Sequence, residues 1–159
     1  MQSIEAQFKR LGIDRRSFRQ GEIYIVKDKD VQIPDSKFTK TGRVFHENRP
    51  VVIVYDHLYN SEPTYPLVVV APLSHDTTRK RVCDLELFAA RDGVDQDCLL
   101  RLGLIQPLCK VDLEGPAGRL DATTIDKMLA LLVHLLGVSL NDEDRGAVDL
   151  DNADEGNEA

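Results

Sequence analysis

The chain has no tryptophan and only two methionines and three cysteines among its 159 residues. Cys83, Cys98 and Cys109 are odd in number and share no C-x-x-C spacing. That pattern argues against both a disulfide framework and a zinc site, and leaves reduced cysteines in or near strands. No apolar run approaches the roughly 20 residues of a membrane helix. The longest, LVVVAPL at 67–73 and LALLVHLL at 129–136, fall well short of it. The N-terminal MQSIEAQFKRLG has no apolar stretch ahead of its charges, so no signal peptide and a cytoplasmic location are expected. Also missing are a phosphate-cradling glycine loop, H-E-x-x-H and G-x-S-x-G. His46, His57, His75 and His134 are scattered without metal-ligand spacing, so no metal or other cofactor is expected.

An excess of positive charge is lacking too, since the formal net charge is −7. That sign looks wrong for a nucleic-acid partner until it is divided along the chain. From Asn141 onward there are eight acids (Asp142, Glu143, Asp144, Asp149, Asp151, Asp154, Glu155, Glu158) and one base, Arg145. Of the 27 acids and 20 bases overall, 19 of each therefore fall in residues 1–140. The body is neutral, and the global charge says little about any one of its faces. A length of 159 residues with 42% hydrophobic composition suits one globular domain, expected over 1–140. Residues 141–159 lack the apolar surface to offset the entropy of ordering and are expected to form a disordered acidic tail. Such a tail either aids solubility or folds back over a basic groove.

What is present reads as a mainly β protein with helices, an α+β chain. Ile4, Phe8 and Leu11 stand at helical spacing and predict a short N-terminal helix. EIYIVK (22–27), PVVIVY (50–55) and PLVVVA (66–71) are rich in β-formers. RVCDLELF (81–88) alternates, with Val82, Leu85 and Leu87 as burial candidates, and CLLRLGLIQPLCKVDL (98–113) is a long strand or a bent pair, with Gly103 and Pro107 as bend points. Near the end, Asp121 or Thr123 can cap a helix, Thr123 with Asp126 resembling a capping box. Ile125, Met128, Leu129, Leu132 and Leu136 then form one stripe that Gly137 stops. The sum is a small, mostly antiparallel barrel or curled sheet, with a helix at each end of the chain.

Polar residues stand at three strand ends: Asn48-Arg49, Ser74-His75-Asp76 and Gln106. If these strands are neighbours, a guanidinium, a hydroxyl, an imidazole and an amide converge on one face; ordinary strand ends are the alternative. Pro50 is tolerated at a strand's first residue, where no ladder partner needs its missing N–H. The segment 28–48 is longer than most loops in compact domains, and such loops are usually functional or disordered. It mixes Lys29, Lys37, Lys40 and Arg43 with Phe38 and Phe45, a combination that grips single strands by phosphate contact and base stacking.

In order along the chain, GEIYIVK, a long loop, RPVVIVY, VVVAPLS, CLLRLGLIQPLCKVDL and LDATTIDKMLALLVHLLG resemble the MazF/PemK toxin family. The resemblance covers roughly residues 20–137. It implies a small SH3-like antiparallel barrel, a homodimer, neutralisation by an antitoxin protein, and metal-free cleavage of single-stranded RNA. Arg49 matches the family's catalytic arginine, Ser74 its Ser or Thr after the apolar strand, and Gln106 a glutamine lining the RNA site. Two departures stand out: Glu47-Asn48 precede Arg49 where a glycine is usual, and the acidic tail is no part of the pattern. CcdB-type gyrase poisons share the fold but use a C-terminal tryptophan, which is absent here; a degenerate, non-cleaving module that binds an antitoxin is the other alternative.

Metal-free cleavage of this kind uses the substrate's own 2′-hydroxyl and leaves a 2′,3′-cyclic phosphate and a 5′-hydroxyl. A guanidinium stays protonated and forks onto two phosphate oxygens, so Arg49 suits charge stabilisation. The Ser74 hydroxyl can hold the reacting phosphate in line. An imidazole ordinarily titrates near neutrality, which makes His75 the candidate base. Alternate residues of a strand face opposite ways, so Ser74 and His75 are not both expected to face the site. Lys37, Lys40, Arg43 and Gln106 are the expected RNA contacts.

Overall fold

The computed structural model describes residues 3–138; the acidic segment from 141 lies outside the described residues. The strands are β1 (Glu22–Lys27), β2 (Asn48–Ile53), β3 (Leu67–Ser74), β4 (Asp84–Leu87), β5 (Cys98–Arg101), β6 (Gln106–Cys109) and β7 (Glu114–Arg119). The helices are α1 (Ile4–Arg10), α2 (His57–Asn60) and α3 (Ala122–Leu135). All seven strands join one sheet in the order β4-β5-β3-β2-β1-β7, with β6 beside β3. Every pairing is antiparallel. The expected barrel is not closed: β4 and β7 remain at opposite ends of the strand order.

The unbroken apolar runs of β2 and β3 follow from burial on both faces. Val52 and Val54 of the β2 run and Ala71 and Leu73 of β3 enter one core, with Leu87, Leu100 and Met128. Val51, Ile53, Val68 and Val70 enter a second core on the opposite face, with Phe18, Tyr24, Val26, Val31, Leu108 and Leu113. Helix α3 lays Ile125, Met128, Leu129 and Leu132 on the first core. Of these only Met128 is fully buried, and full burial of such a side chain contributes about 1.5–3 kcal/mol. No helix among the described residues is long and apolar enough to cross a membrane.

The structure decides between several local alternatives and corrects the expected burial of Leu136 and Val82. Asp121, not Thr123, caps α3: its carboxylate accepts the Thr123 N–H at 3.1 Å and the Thr123 hydroxyl. Leu136 lies past the last helical residue and is 79% exposed, outside the stripe that packs. Val82 is 87% exposed because β4 begins two residues later, at Asp84. The 98–113 segment is a bent pair, with a 3-10 turn at Leu102–Leu104 between β5 and β6. β7, EGPAGR, carries no apolar periodicity and is almost wholly exposed. It is a strand because its backbone pairs with β1, across a register shift between Ile23 and Ile25.

Candidate functional site

Strand register brings Arg49 and Ser74 to the same end of β2 and β3. Val51 pairs with Pro72 across β2 and β3; Arg49 and Ser74 lie two residues beyond that last pair, and continuing its register sets them on the same face. Residues directly opposite on an antiparallel pair share a face, with Cβ atoms about 5 Å apart. That face is the one bearing the second core, and the 28–47 segment passes over it, with Val31 buried there and Ile33 packed against it.

Asp28 follows β1 directly and is fully buried, where a carboxylate is costly unless paired. One of its oxygens accepts Nε of Arg49 and Nη2 of Arg43, both at 2.5 Å, and the other accepts the His46 amide at 2.9 Å. Burial alone pushes the Asp28 carboxyl up, but the hydrogen bonds from Arg49, the His46 amide and Arg43 prevail and hold it below the ordinary carboxylate range. Arg49 also donates from Nη1 to the Leu73 carbonyl at 3.0 Å. With Nε and Nη1 engaged, the guanidinium plane is fixed. Among the described residues Nη2 of Arg49 meets no partner and is not sealed from solvent. One carboxylate set between two guanidinium groups leaves a net positive charge.

Arg43 has a different role from its neighbour. Nη1 donates to the Val31 carbonyl and Nη2 to the Asp28 carbonyl and carboxylate. The Phe45 ring lies 4.4 Å from its guanidinium carbon, and Nε is buried without a partner. Arg43 therefore holds the long loop to its own start. Gln106 does similar work at the far side of the loop, accepting the Gln32 amide at 2.8 Å and donating to the Gln32 carbonyl at 3.0 Å. It stands opposite Val70 on β3, four residues from Ser74 and so about 13 Å along the strand. Lys37 and Lys40 are exposed beside Phe38, which is 90% exposed.

Ser74, whose hydroxyl has no hydrogen-bond partner among the described residues, lines a cavity of about 160 Å³ with Asp35, Asp76, Arg79, Arg81 and Arg101. Arg49 lies beside this cavity, on the Leu73 carbonyl, and does not line it. His75 is exposed and outside the lining. Arg101 donates from Nε to the buried Asp84 carboxylate and from Nη2 to Asp35, each at 3.0 Å. Arg81 reaches Asp35 at 3.3 Å and Arg79 reaches Asp76 at 3.7 Å. Sequence reasoning did not single out these three arginines. Arg79 and Arg81 sit in a polar turn, and Arg101 ends an apolar strand, so only the packing of β4, β5 and the loop brings them together. The nearest signal was the local density of bases in TTRKR (77–81). No group of three or more potential metal-ligating side chains occurs among the described residues.

The model of the PemK-like, MazF-like toxins of type II toxin–antitoxin systems matches residues 19–136, most of the chain. The chain belongs to that family. Solved structures with a similar fold include the Mycobacterium tuberculosis toxin MazF-mt6, 19% identical, with a TM-score of 0.54 over 74% of this chain and 98% of that one. A mycobacterial endoribonuclease in complex with its cognate antitoxin is 15% identical, TM-score 0.55, covering 79% of this chain and 99% of that one. MazE–MazF from Deinococcus radiodurans is 16% identical, TM-score 0.53, covering 78% and 99%. At these identities the likeness is one of fold. No curated protein matches the sequence. The family match begins at residue 19, after α1 and after Phe18, which packs in the second core.

Proposed function

We propose that this family member is a toxin endoribonuclease that cleaves single-stranded RNA without a metal ion, acts as a cytoplasmic homodimer and is neutralised by a cognate antitoxin. The observation that carries the reading is Arg49, clamped by Asp28 and by the carbonyl of Leu73, the residue before Ser74, with Nη2 left over. A guanidinium fixed before substrate arrives needs no reorganisation when charge develops on a phosphate.

In this mechanism the ribose 2′-hydroxyl attacks the adjacent phosphorus and gives its proton to a base. The P–O5′ bond breaks, the 5′-oxygen gains a proton, and a 2′,3′-cyclic phosphate remains. Arg49 Nη2 donates to the non-bridging oxygens as negative charge collects on them. Ser74 donates to the same phosphate and holds it in line. His75 adjoins Ser74 in sequence but lies outside the cavity lining, so its service as base requires the turn after β3 to swing its ring inward. Lys37, Lys40 and the exposed Phe38 ring supply cations and a stacking surface for flanking nucleotides. Arg43 and Gln106 act on RNA indirectly, by shaping the loop.

The test is cleavage of a mixed-sequence single-stranded RNA in EDTA, wild type against Arg49→Ala, with fragment ends read for cyclic phosphate. The substitution is expected to lower kcat about 100- to 1,000-fold. Undiminished cleavage by the variant refutes the placement of the site. Absence of wild-type cleavage on a broad RNA pool refutes the enzyme and leaves a binding module.

A further inference from the structure

Two arginines of this chain are presented in the same way. Asp28, buried after β1, holds Arg49 by Nε; Asp84, buried at the start of β4, holds Arg101 by Nε. In both cases a carboxylate sealed in the protein fixes the guanidinium plane and turns an Nη edge outward. For Arg49 that edge is unoccupied. For Arg101 it is occupied by Asp35, from the 3-10 turn Pro34–Phe38 of the long loop. Resting on the RNA-cleavage reading, we propose that Arg81 and Arg101 form a second phosphate subsite, separate from the Arg49–Ser74 pair, and that the Asp35 carboxylate occupies it in the free protein.

Geometry and charge both support this assignment. A single oxygen of Asp35 accepts Nη2 of Arg101 at 3.0 Å and stands 3.3 Å from Nη2 of Arg81 as an ion pair. Two guanidinium groups converging on one anionic oxygen is also how arginines hold a phosphodiester. Around the cavity and its supports, Arg79, Arg81 and Arg101 are balanced by Asp35, Asp76 and Asp84. Asp84 is buried beneath Arg101, and Asp76 is bound to the Thr78 amide and hydroxyl in its own turn. Asp35 is the acid free to leave: no residue of its turn is buried, and its side chain is 23% exposed. Its departure leaves one positive charge, which one phosphodiester neutralises.

The subsite opens on the same cavity as Ser74, so a strand with one phosphate at Arg49 can place another there. RNA then competes with the loop for Arg81 and Arg101, and occupancy of the subsite lifts the turn that carries Asp35. Free protein is thereby held in a weakly binding state by a contact within its own chain.

The experiment is fluorescence anisotropy of an uncleavable 2′-O-methyl single-stranded RNA over a salt series, with cleavage of ordinary RNA measured alongside. Asp35→Asn keeps the side-chain volume and removes the competing charge. It is expected to tighten binding about threefold to tenfold and to steepen the salt dependence by roughly the increment of one added phosphate contact. Arg81→Ala, whose side chain is 58% exposed, tests the cationic half without stranding Asp84, which binds Arg81 through its backbone amide and keeps Nε of Arg101. In the Asp35→Asn background it is expected to erase most of the gain. Normal cleavage with unchanged Asp35→Asn binding overturns the subsite and leaves the ribonuclease intact. Tightened binding, cancelled by Arg81→Ala, in a protein that cleaves nothing upholds the subsite and overturns the enzyme.

Discussion

Asp28→Asn is the most informative single change outside the proposed reacting pair. The substitution preserves shape but strips the counter-charge from two guanidinium groups whose side chains are only 12% and 14% exposed. An amide nitrogen in one oxygen's place loses the His46 N–H bond at 2.9 Å, and in the other's place loses both arginine bonds. Breaking a buried ion pair by removing one partner costs about 3–5 kcal/mol. The slight exposure of Arg43 and Arg49 trims that to about 2–4 kcal/mol, since each can recruit some water. At roughly 3 °C per kcal/mol for a domain of this size, thermal unfolding should fall by about 6–12 °C. The discriminating assay is a double-mutant cycle by urea unfolding. Arg43→Met in the Asp28→Asn background removes one uncompensated cation and should restore part of the loss, whereas in wild type it should be destabilising. Cleavage should also drop, mainly in kcat, because Arg49 loses the contact that fixes its plane. Additive effects of the two substitutions, or an Asp28→Asn protein within about 0.5 kcal/mol of wild type, would refute the view that this carboxylate organises the site.

Two further outcomes follow from other contacts. Asp92 is buried between β4 and α3, where Arg91, the Phe88 amide and the Thr124 hydroxyl bind it. The Arg91 hydrogen bond leads in holding its carboxyl down at about 2. A depressed pKa contributes stability in full above about pH 4, and that contribution is lost as pH falls toward about 2. Arg91 is 58% exposed, so solvent screening trims that contribution. Acid titration of stability should show that step, and Asp92→Asn should flatten it. Gln106→Leu removes both hydrogen bonds to the Gln32 backbone. Amide exchange at 31–36 should quicken by about tenfold while the α3 amides stay unchanged, and equal protection in both proteins would deny Gln106 its role as a loop anchor.

The elements legible in the sequence are those whose burial is written into local periodicity. β2 and β3 read as strands because both faces are covered, leaving unbroken runs of Val, Ile and Leu. α3 read as a helix because one stripe packs and a glycine with positive φ stops it. The arginine before Pro50 drew notice because a charge at the mouth of so apolar a strand is conspicuous. β7 was not legible, since EGPAGR gains its place from backbone pairing to β1 and has no side-chain pattern to announce it. α2 was hidden in a polar turn, four residues held by the Asp56 cap.

The site divides the same way. Residue type suggested what Arg49 and Ser74 can do, but only the pairing of β2 with β3 brings their strand ends together. A guanidinium or a carboxamide looks alike in sequence whether it waits for a ligand or ties down a loop. Arg43 and Gln106 do the latter, through partners that lie as much as 74 residues away. Arg81 and Arg101 entered the site through Asp35 and Asp84, contacts fixed when the long loop closes over β5. Composition and periodicity determine which segments are buried, because apolar burial is non-directional and local patterns record it. Ion pairs and hydrogen bonds are short-ranged and directional, so their partners are decided only when the tertiary structure brings distant segments together.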